Sequence, residues 1–463
     1  MSQDLIIIGA GITGLTAAYE AQRRGLRPLV LEASARAGGL IQTDHVDGFT
    51  IEAGPDSVLA QKRHALELIR ELGLGDEVLD VRPPGGAFVL RGRHLYKLPS
   101  PSLLGVPLTW QALAQYDLLP WSARLRMALE PLVPARRSQE DESIGSFFRR
   151  RFGAATVDLI AQPLLGGIHA GDIEHLSMRA LFPRLLDAER TDGHVLKMQG
   201  ARAGDPQKQD ANDRRGEAGF RSLRHGMGTL VRALEARLLP DAVRYASAAQ
   251  RLEPAARGWR VRSDDATFEA PAVIVAAPAF VAARLFATID AEAARLCEEV
   301  PYVSTVSVAL AWPRTAIAHP LSGTGFVVAR RASDVRITAC TWVSSKWEHR
   351  APDHVALLRA FIGGAHDPEV VDLEEDELAR IARTDLERVL GINAPPVLTR
   401  VYRWRRAGAQ HNVGQRARME ALDRRLAQHP GLFVAGSGFR SVGIPDCIAD
   451  ARAVVARCTI PAC

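Results

Sequence analysis

The chain opens on an unbroken apolar run, Leu5-Ile6-Ile7-Ile8, and repeats the pattern at Pro28-Leu29-Val30-Leu31. Runs this short and uniformly apolar predict strands buried on both faces, as in a parallel sheet. Between them Leu15 to Arg24 has helical spacing, and a further helix is predicted from Gln61 to Leu72, stopping at Gly73. Phe88 to Leu98 alternates around Arg91-Gly92-Arg93, which predicts a hairpin. Prolines punctuate the chain from Pro99 to Pro134, where Trp110, Leu113, Tyr116, Trp121, Leu125 and Leu129 are interspersed with Arg124 and Arg126. That mixture predicts short amphipathic helices, which either rest on a bilayer or pack against the rest of the protein or a second copy.

The helical pattern continues over Ser143 to Arg151 and Leu176 to Arg190. Gly200 to Gly219 carries almost no large apolar residue and predicts a mobile surface loop. Ala272 to Ala277 returns to the parallel-strand pattern, so the first unit is interrupted by an insertion. Thr305–Ala311, Gly325–Val328, Ile337–Val343 and Val355–Phe361 predict a sheet able to wall a pocket. Leu432 to Gly438, then Val442 to Arg457, form a second strand, glycine turn and helix. The expected fold is α/β (α+β overall), with a discontinuous Rossmann-type domain from 1–85, 220–298 and 396–463. A β-rich substrate domain is expected from 86–98 and 299–395, and an inserted helical domain, with membrane association as one of its readings, from 99–219.

At 463 residues the chain is too long for one core. Its net charge of +5 suits an anionic small molecule or an acidic membrane surface. No sustained basic run with interleaved aromatics argues for nucleic acid. The five cysteines are scattered and show no metal-ligand spacing, so a reducing cytoplasm and no metal are expected. A start directly in a strand predicts no secretory signal, and no apolar stretch reaches the roughly 20 residues of a membrane span. The expected location is the cytoplasm, with peripheral attachment to the inner membrane face as the alternative.

Gly9-Ala10-Gly11-Ile12-Thr13-Gly14 follows the first strand directly, and Glu32 ends the second. Glycines let the backbone turn tightly and approach a pyrophosphate, the next helix offers its N-terminal N–H groups, and an acidic residue accepts from ribose hydroxyls. The arrangement predicts a dinucleotide site; the competing reading is a glycine-rich turn that binds nothing. The stretch after Glu32, Ala33-Ser34-Ala35-Arg36-Ala37-Gly38-Gly39-Leu40, has no use in a nicotinamide enzyme. Together with Gly54-Pro55-Asp56-Ser57 and the C-terminal glycine turn, it resembles FAD binding in the amine-oxidase-like flavoproteins.

Further segments resemble the porphyrinogen oxidases. They include Phe147-Phe148-Arg149-Arg150-Arg151, Pro163 to Asp172, Gly323-Thr324-Gly325-Phe326-Val327 and Gly443-Ile444-Pro445-Asp446-Cys447-Ile448. Through Ile337 to Trp342 and Lys346-Trp347 the likeness is greatest to the bacterial coproporphyrinogen III oxidases, and it covers nearly the whole chain outside 200–219. The related protoporphyrinogen oxidases generally carry a propionate-binding arginine where this chain has Ala87. That departure favours a substrate with four propionates, unless another cation takes over.

The resemblance implies oxidation of coproporphyrinogen III to coproporphyrin III in three two-electron steps, with dioxygen reoxidising the flavin to yield peroxide. It places Gly9, Ala10, Gly11, Ile12, Thr13 and Gly14 at the FAD diphosphate, Glu32 and Ala33 at the ribose, and Arg36, Gly39 and Leu40 at the adjoining cofactor. Gly54, Pro55, Asp56, Ser57, Trp404, Val442, Gly443 and Ile444 fall on the flavin side, and Ala249 contributes backbone. FAD is expected to be non-covalent, with Cys447 a packed thiol. Lys62 matches a lysine near the active site, and its other reading is a solvated helix lysine. Gly167, Ile168, Val327, Trp342 and Phe361 match pocket-lining segments, although Trp342 and Phe361 also suit a sheet core and Trp404 an ordinary sheet position. Expected partners are the porphyrinogen and dioxygen, with transient contact to the next haem-pathway enzyme and a monomer or homodimer left open.

Overall fold

In the computed structural model, residues 3–196, 219–264, 266–440 and 442–458 are described. The two apolar runs form neighbouring strands, Leu5–Ile8 and Pro28–Leu31, at the heart of a five-stranded parallel sheet. Its order is Val243–Arg244, Pro28–Leu31, Leu5–Ile8, Ala272–Val275 and Leu432–Val434. Side chains alternate between faces. Leu5 and Ile7 therefore enter one core under the helices Ile12–Arg23 and Ile444–Arg457, whereas Ile6 and Ile8 enter a second. That second core lies beneath a three-stranded antiparallel sheet, residues 251–270, and the helices Ala279–Phe286, Ala291–Glu298 and Gln415–Leu426.

The hairpin and the later strands join in one seven-stranded sheet. Its order is Leu398–Ala409, Tyr302–Pro313, Val355–Gly363, Ala339–Trp342, Gly325–Val328, Phe88–Arg91 and His94–Lys97. The sheet has two unlike faces. Its back carries Val306, Val308, Leu310, Leu358, Ala360, Ile362, Phe326 and Val328, buried with Leu378, Ile381, Leu386 and Leu390 of the helix Glu375–Leu390. Along the front, register aligns Tyr96, Val89, Val327, Ala339, Phe361, Ser307 and Tyr402 in one row.

The helical region from Trp110 to Asp192 has its own core around Tyr116, Phe147, Phe148 and Phe152, which takes in Val89 of the sheet's front. Three expectations change in detail. The helix expected from Gln61 begins at His64, after a turn in which Lys62 N–H donates to Leu59 O. The Leu176–Arg190 pattern breaks at Phe182 because Pro183 starts a new helix, Pro183–Asp192. Val157–Gly166 winds as a π-helix with Pro163 inside it. The expected loop at 200–219 lies outside the described residues except for Gly219, and among those residues no helix is long and apolar enough to cross a membrane.

Candidate active site between the two sheets

The turn after the first strand is built around close backbone contact. Gly9 has φ +104°, and a Cβ at Gly14 would lie 1.8 Å from Gly9 O, so the helix sits directly on the turn. Gly11 caps that helix without a side-chain cap and with no acidic residue in the first turn, and a Cβ placed on it meets nothing within 4 Å. Free N–H groups thus face open room at the positive end of a helix, where an anion is favoured.

A second glycine loop flanks the first. Gly38 N–H donates to Ala10 O at 2.8 Å, and a Cβ at Gly39 would stand 3.2 Å from Gly11 Cα. The Arg36 guanidinium donates to the carbonyls of Ala37, Gly39 and Ile41, so it fixes the shape of this loop. Leu40, next along the loop, is half exposed, and Gly54 rests on its carbonyl, with only 1.9 Å to spare for a Cβ. Glu32 accepts from Ala10 N–H at 2.7 Å and from Ser34 N–H and Oγ at 2.8 Å. Ser247 N–H donates to Glu32 O, which lays the Ala246–Ala249 stretch beside Glu32 and Ala33.

The front of the seven-stranded sheet closes over the Glu52–Ser57 turn. Ser307 Oγ and Trp404 Nε1 both donate to Ala53 O at 2.9 Å, and Tyr402 OH donates to Asp44. Arg359, almost fully buried, donates to Glu52 O and Gly54 O at 2.6 and 2.7 Å. Asp56 pairs with Lys346 at 2.9 Å and accepts from Trp347 Nε1 and Ser57 Oγ. Burial alone would raise the Asp56 carboxyl, but Lys346 and Arg359 hold it well below the usual carboxylate range. Its carboxylate is fully engaged, so this turn offers backbone rather than a free acid. Sequence reasoning missed Arg359, although a lone charge inside Val355-Ala-Leu-Leu-Arg-Ala-Phe was a readable signal.

The C-terminal turn arrives from the other side. A Cβ on Gly436, whose φ is +110°, would stand 3.0 Å from Thr13 Oγ1, and Gly443 caps the helix Ile444–Arg457, again without a side-chain cap. Ile444 is buried in the core, so only its backbone faces the site, whereas Val442 is partly exposed. Cys447 is buried, its thiol pushed up to about 12 by burial, which keeps it protonated. Lys62 lies beside this helix start and pairs with Asp446 in its first turn.

The pocket residues divide. Gly167 abuts Val327, with Cγ1 4.0 Å from a Cβ on the glycine, and Ile168 is 68% exposed. Ala339, Thr341 and Phe361, at the middle of the sheet's front, are only partly buried. They lie between the end covered by the helical region and the end covered by the Glu52–Ser57 turn. Trp342 is the correction. It pairs with Leu358 on the opposite face, is fully buried, and packs against Phe88, His319 and Phe326. With a period of two, Trp342 and Phe361 belong to opposite faces, so Trp342 is sheet core.

Two uncapped helix N-termini, two apposed glycine loops and an acidic residue after the second strand thus meet at one end of the parallel sheet, an arrangement suited to an anionic dinucleotide. The chain belongs to the family of flavin-containing amine oxidoreductases, whose family model matches residues 12–459. It is 36% identical over 460 residues to coproporphyrinogen III oxidase of Bacillus subtilis, covering 97% of both chains. It is 31% identical to protoporphyrinogen oxidase of Bos taurus, covering 99% of this chain and 98% of that one. A crystal structure from Exiguobacterium sp. 255-15 matches with a TM-score of 0.86 at 31% identity, covering 98% of each chain. The protein is an oxidoreductase with FAD as its cofactor. The open room over Gly11, between uncapped N–H groups and the Gly38-Gly39 loop, fits the diphosphate of that cofactor.

Proposed function

We propose that this protein oxidises coproporphyrinogen III to coproporphyrin III in haem biosynthesis, with dioxygen as acceptor and peroxide as product. What carries the reading is similarity along nearly the whole chain to the Bacillus subtilis enzyme. Ala87 supports it, since it directly precedes the strand Phe88–Arg91 of the seven-stranded sheet and brings no guanidinium there. Bound FAD supplies the hydride-accepting ring and the capacity to react with oxygen. The chain's part is to bind and orient. Gly9 to Gly14 and Gly38 to Leu40 hold the diphosphate with backbone N–H groups. Glu32, Ala33 and Ala249 hold the adenosine side, and Arg36 keeps its loop in shape. Gly54 to Ser57, Trp404, and Val442 to Ile444 frame the flavin. Gly167, Ile168, Val327 and Phe361 wall the substrate space, with Lys62 at its cationic edge.

In this reading residues 1–85, 220–298 and 396–463 form the cofactor domain, 86–98 and 299–395 the substrate domain, and 99–219 the helical insertion, with one correction: the strand Leu398–Ala409 pairs with Tyr302–Pro313 and so belongs to the substrate-domain sheet. The test is anaerobic mixing of the purified protein with coproporphyrinogen III and, in parallel, protoporphyrinogen IX. The flavin absorbance is expected to bleach at least ten times faster with the first. Faster bleaching with protoporphyrinogen transfers the assignment to that substrate, and an unchanged flavin with both refutes porphyrinogen oxidation.

The insertion is the membrane-facing part of a cytoplasmic protein in this reading, which also leaves room for transient contact with the enzyme that receives the porphyrin. Trp121 and Leu125 of the helix Trp121–Ala128, and Leu129 and Leu132 just after it, are between 45% and 78% exposed. Wild-type protein is expected to sediment with anionic phospholipid vesicles, and Trp121→Ser/Leu125→Ser/Leu132→Ser to lose about nine-tenths of that binding while keeping turnover. Absence of wild-type sedimentation sinks the membrane reading.

A further inference from the structure

We propose that the imidazole of His169 is the base that receives the proton released in each two-electron oxidation of the macrocycle. The proposal rests on the porphyrinogen reading above and deepens it. His169 ends the Gly167–His169 turn, whose first residue abuts Val327 at the substrate wall. Neighbours pin this turn in place. Gln410 Nε2 donates to His169 O at 3.0 Å, Ala365 N–H to Ala170 O at 2.8 Å, and Gln162 Nε2 to Gly171 O at 2.9 Å. Lys62 is close enough to act on the ring and is itself paired with Asp446 at the start of the C-terminal helix. The turn that carries His169 thus runs from Val327 at one end to Gln410 at the other, and the next residue, His411, reaches Ser437 O of the C-terminal glycine turn at 2.9 Å.

Its chemistry suits a base. Burial, then the nearby His411 ring and the Lys62 ammonium, lower His169 to about 4, so it is neutral at physiological pH. Among the described residues nothing hydrogen-bonds its ring, whose aromatic neighbour is Phe182 at 6.2 Å between centroids. The other groups near this junction are committed. Asp446 pairs with Lys62, Asp56 with Lys346, and His411 Nε2 lies 2.9 Å from Ser437 O. His411 is itself lowered, by burial, with Arg418 acting in the same direction and Asp446 opposing.

The need for a base follows from the bookkeeping of the reaction. In each step a meso C–H bond breaks and its electron pair leaves with the hydrogen as hydride to the flavin. The cation left behind is neutralised when a pyrrole N–H bond, or a remaining meso C–H bond, breaks. That electron pair closes the new double bond, and the proton passes to the ring nitrogen of His169 and on to water.

The test uses His169→Asn and His169→Ala holoenzymes with anaerobic coproporphyrinogen, following flavin bleaching, and with coproporphyrin, following fluorescence. Bleaching is expected to slow by roughly 10²- to 10³-fold, the scale of general-base catalysis, with coproporphyrin affinity changed less than about twofold. The wild-type rate is expected to fall on acidification through about 4 as the imidazole takes a proton. That acid limb is expected to vanish in His169→Asn, and added imidazole to accelerate His169→Ala. Bleaching within about threefold of wild type overturns the proposal, as does a loss that imidazole does not reverse and that leaves the acid limb in place. If the wild type itself fails to bleach, the porphyrinogen reading has failed first.

Discussion

Gly14→Ala is expected to yield a colourless protein. The added methyl carbon would stand 1.8 Å from Gly9 O and 3.0 Å from Gly9 C, both backbone atoms that no rotamer change can move aside. Relief requires the helix Ile12–Arg23 to lift off the turn, which carries its N-terminal N–H groups away from the diphosphate they would hold. Overpacking of this kind costs about 1–3 kcal/mol in stability, but the larger loss is the cofactor. Gly11→Ala separates the two effects. A methyl there meets nothing within 4 Å, so the fold accommodates it, yet it fills the open room over the helix. The expected outcome is near-normal thermal unfolding of the apoprotein for Gly11→Ala, a lowered midpoint for Gly14→Ala, and flavin-to-protein absorbance near zero for both. Stoichiometric flavin in Gly11→Ala would place the diphosphate elsewhere.

The strand, glycine turn and helix on which the nucleotide reading rests were legible from the amino-acid order. Gly9, Gly14 and Glu32 lie within one strand-turn-helix-strand unit, where neighbours in sequence are neighbours in space. The strand Ala272–Val275 was legible as well, because burial on both faces leaves an uninterrupted apolar run. The antiparallel strands at 251–270 and the strand Leu398–Ala409 were missed, the latter because Arg-Val-Tyr-Arg-Trp-Arg-Arg faces a polar junction and shows no clean alternation.

The substrate half depends on register, which alternation alone does not set. Ile337 to Val343 divides into two sets of side chains, but only the pairings Ala339 with Phe361 and Trp342 with Leu358 reveal that Trp342 faces the back. The Lys62–Asp446 pair joins residues 384 positions apart, and no local pattern announces it. Arg359 was visible as a charge inside an apolar strand, yet its partners, the carbonyls of Glu52 and Gly54, belong to a segment some 305 positions earlier.

Arg359→Met is expected to cause the largest loss of stability. The guanidinium is almost fully buried, caps two carbonyls of the Glu52–Ser57 turn, and lies 3.8 Å from Asp56. Methionine keeps much of the volume but leaves both carbonyls without a donor and Asp56 with Lys346 as its cation. Breaking such a buried set by removing one partner costs about 3–5 kcal/mol, readable as a lower urea midpoint at pH 7. The acid dependence supplies an independent check. In the wild type Asp56 titrates below its ordinary 3.8, so it contributes stability that is complete above that value and is lost as pH falls through the depressed folded value. Removing Arg359 lessens the depression, so less stability remains to be lost in acid. The gap between wild type and Arg359→Met is therefore expected to hold from pH 7 down to the folded Asp56 value of the variant and to narrow only as pH falls below it. A gap that stays constant even below the pH at which Asp56 of the variant protonates would mean that Arg359 acts through the Glu52 and Gly54 carbonyls alone.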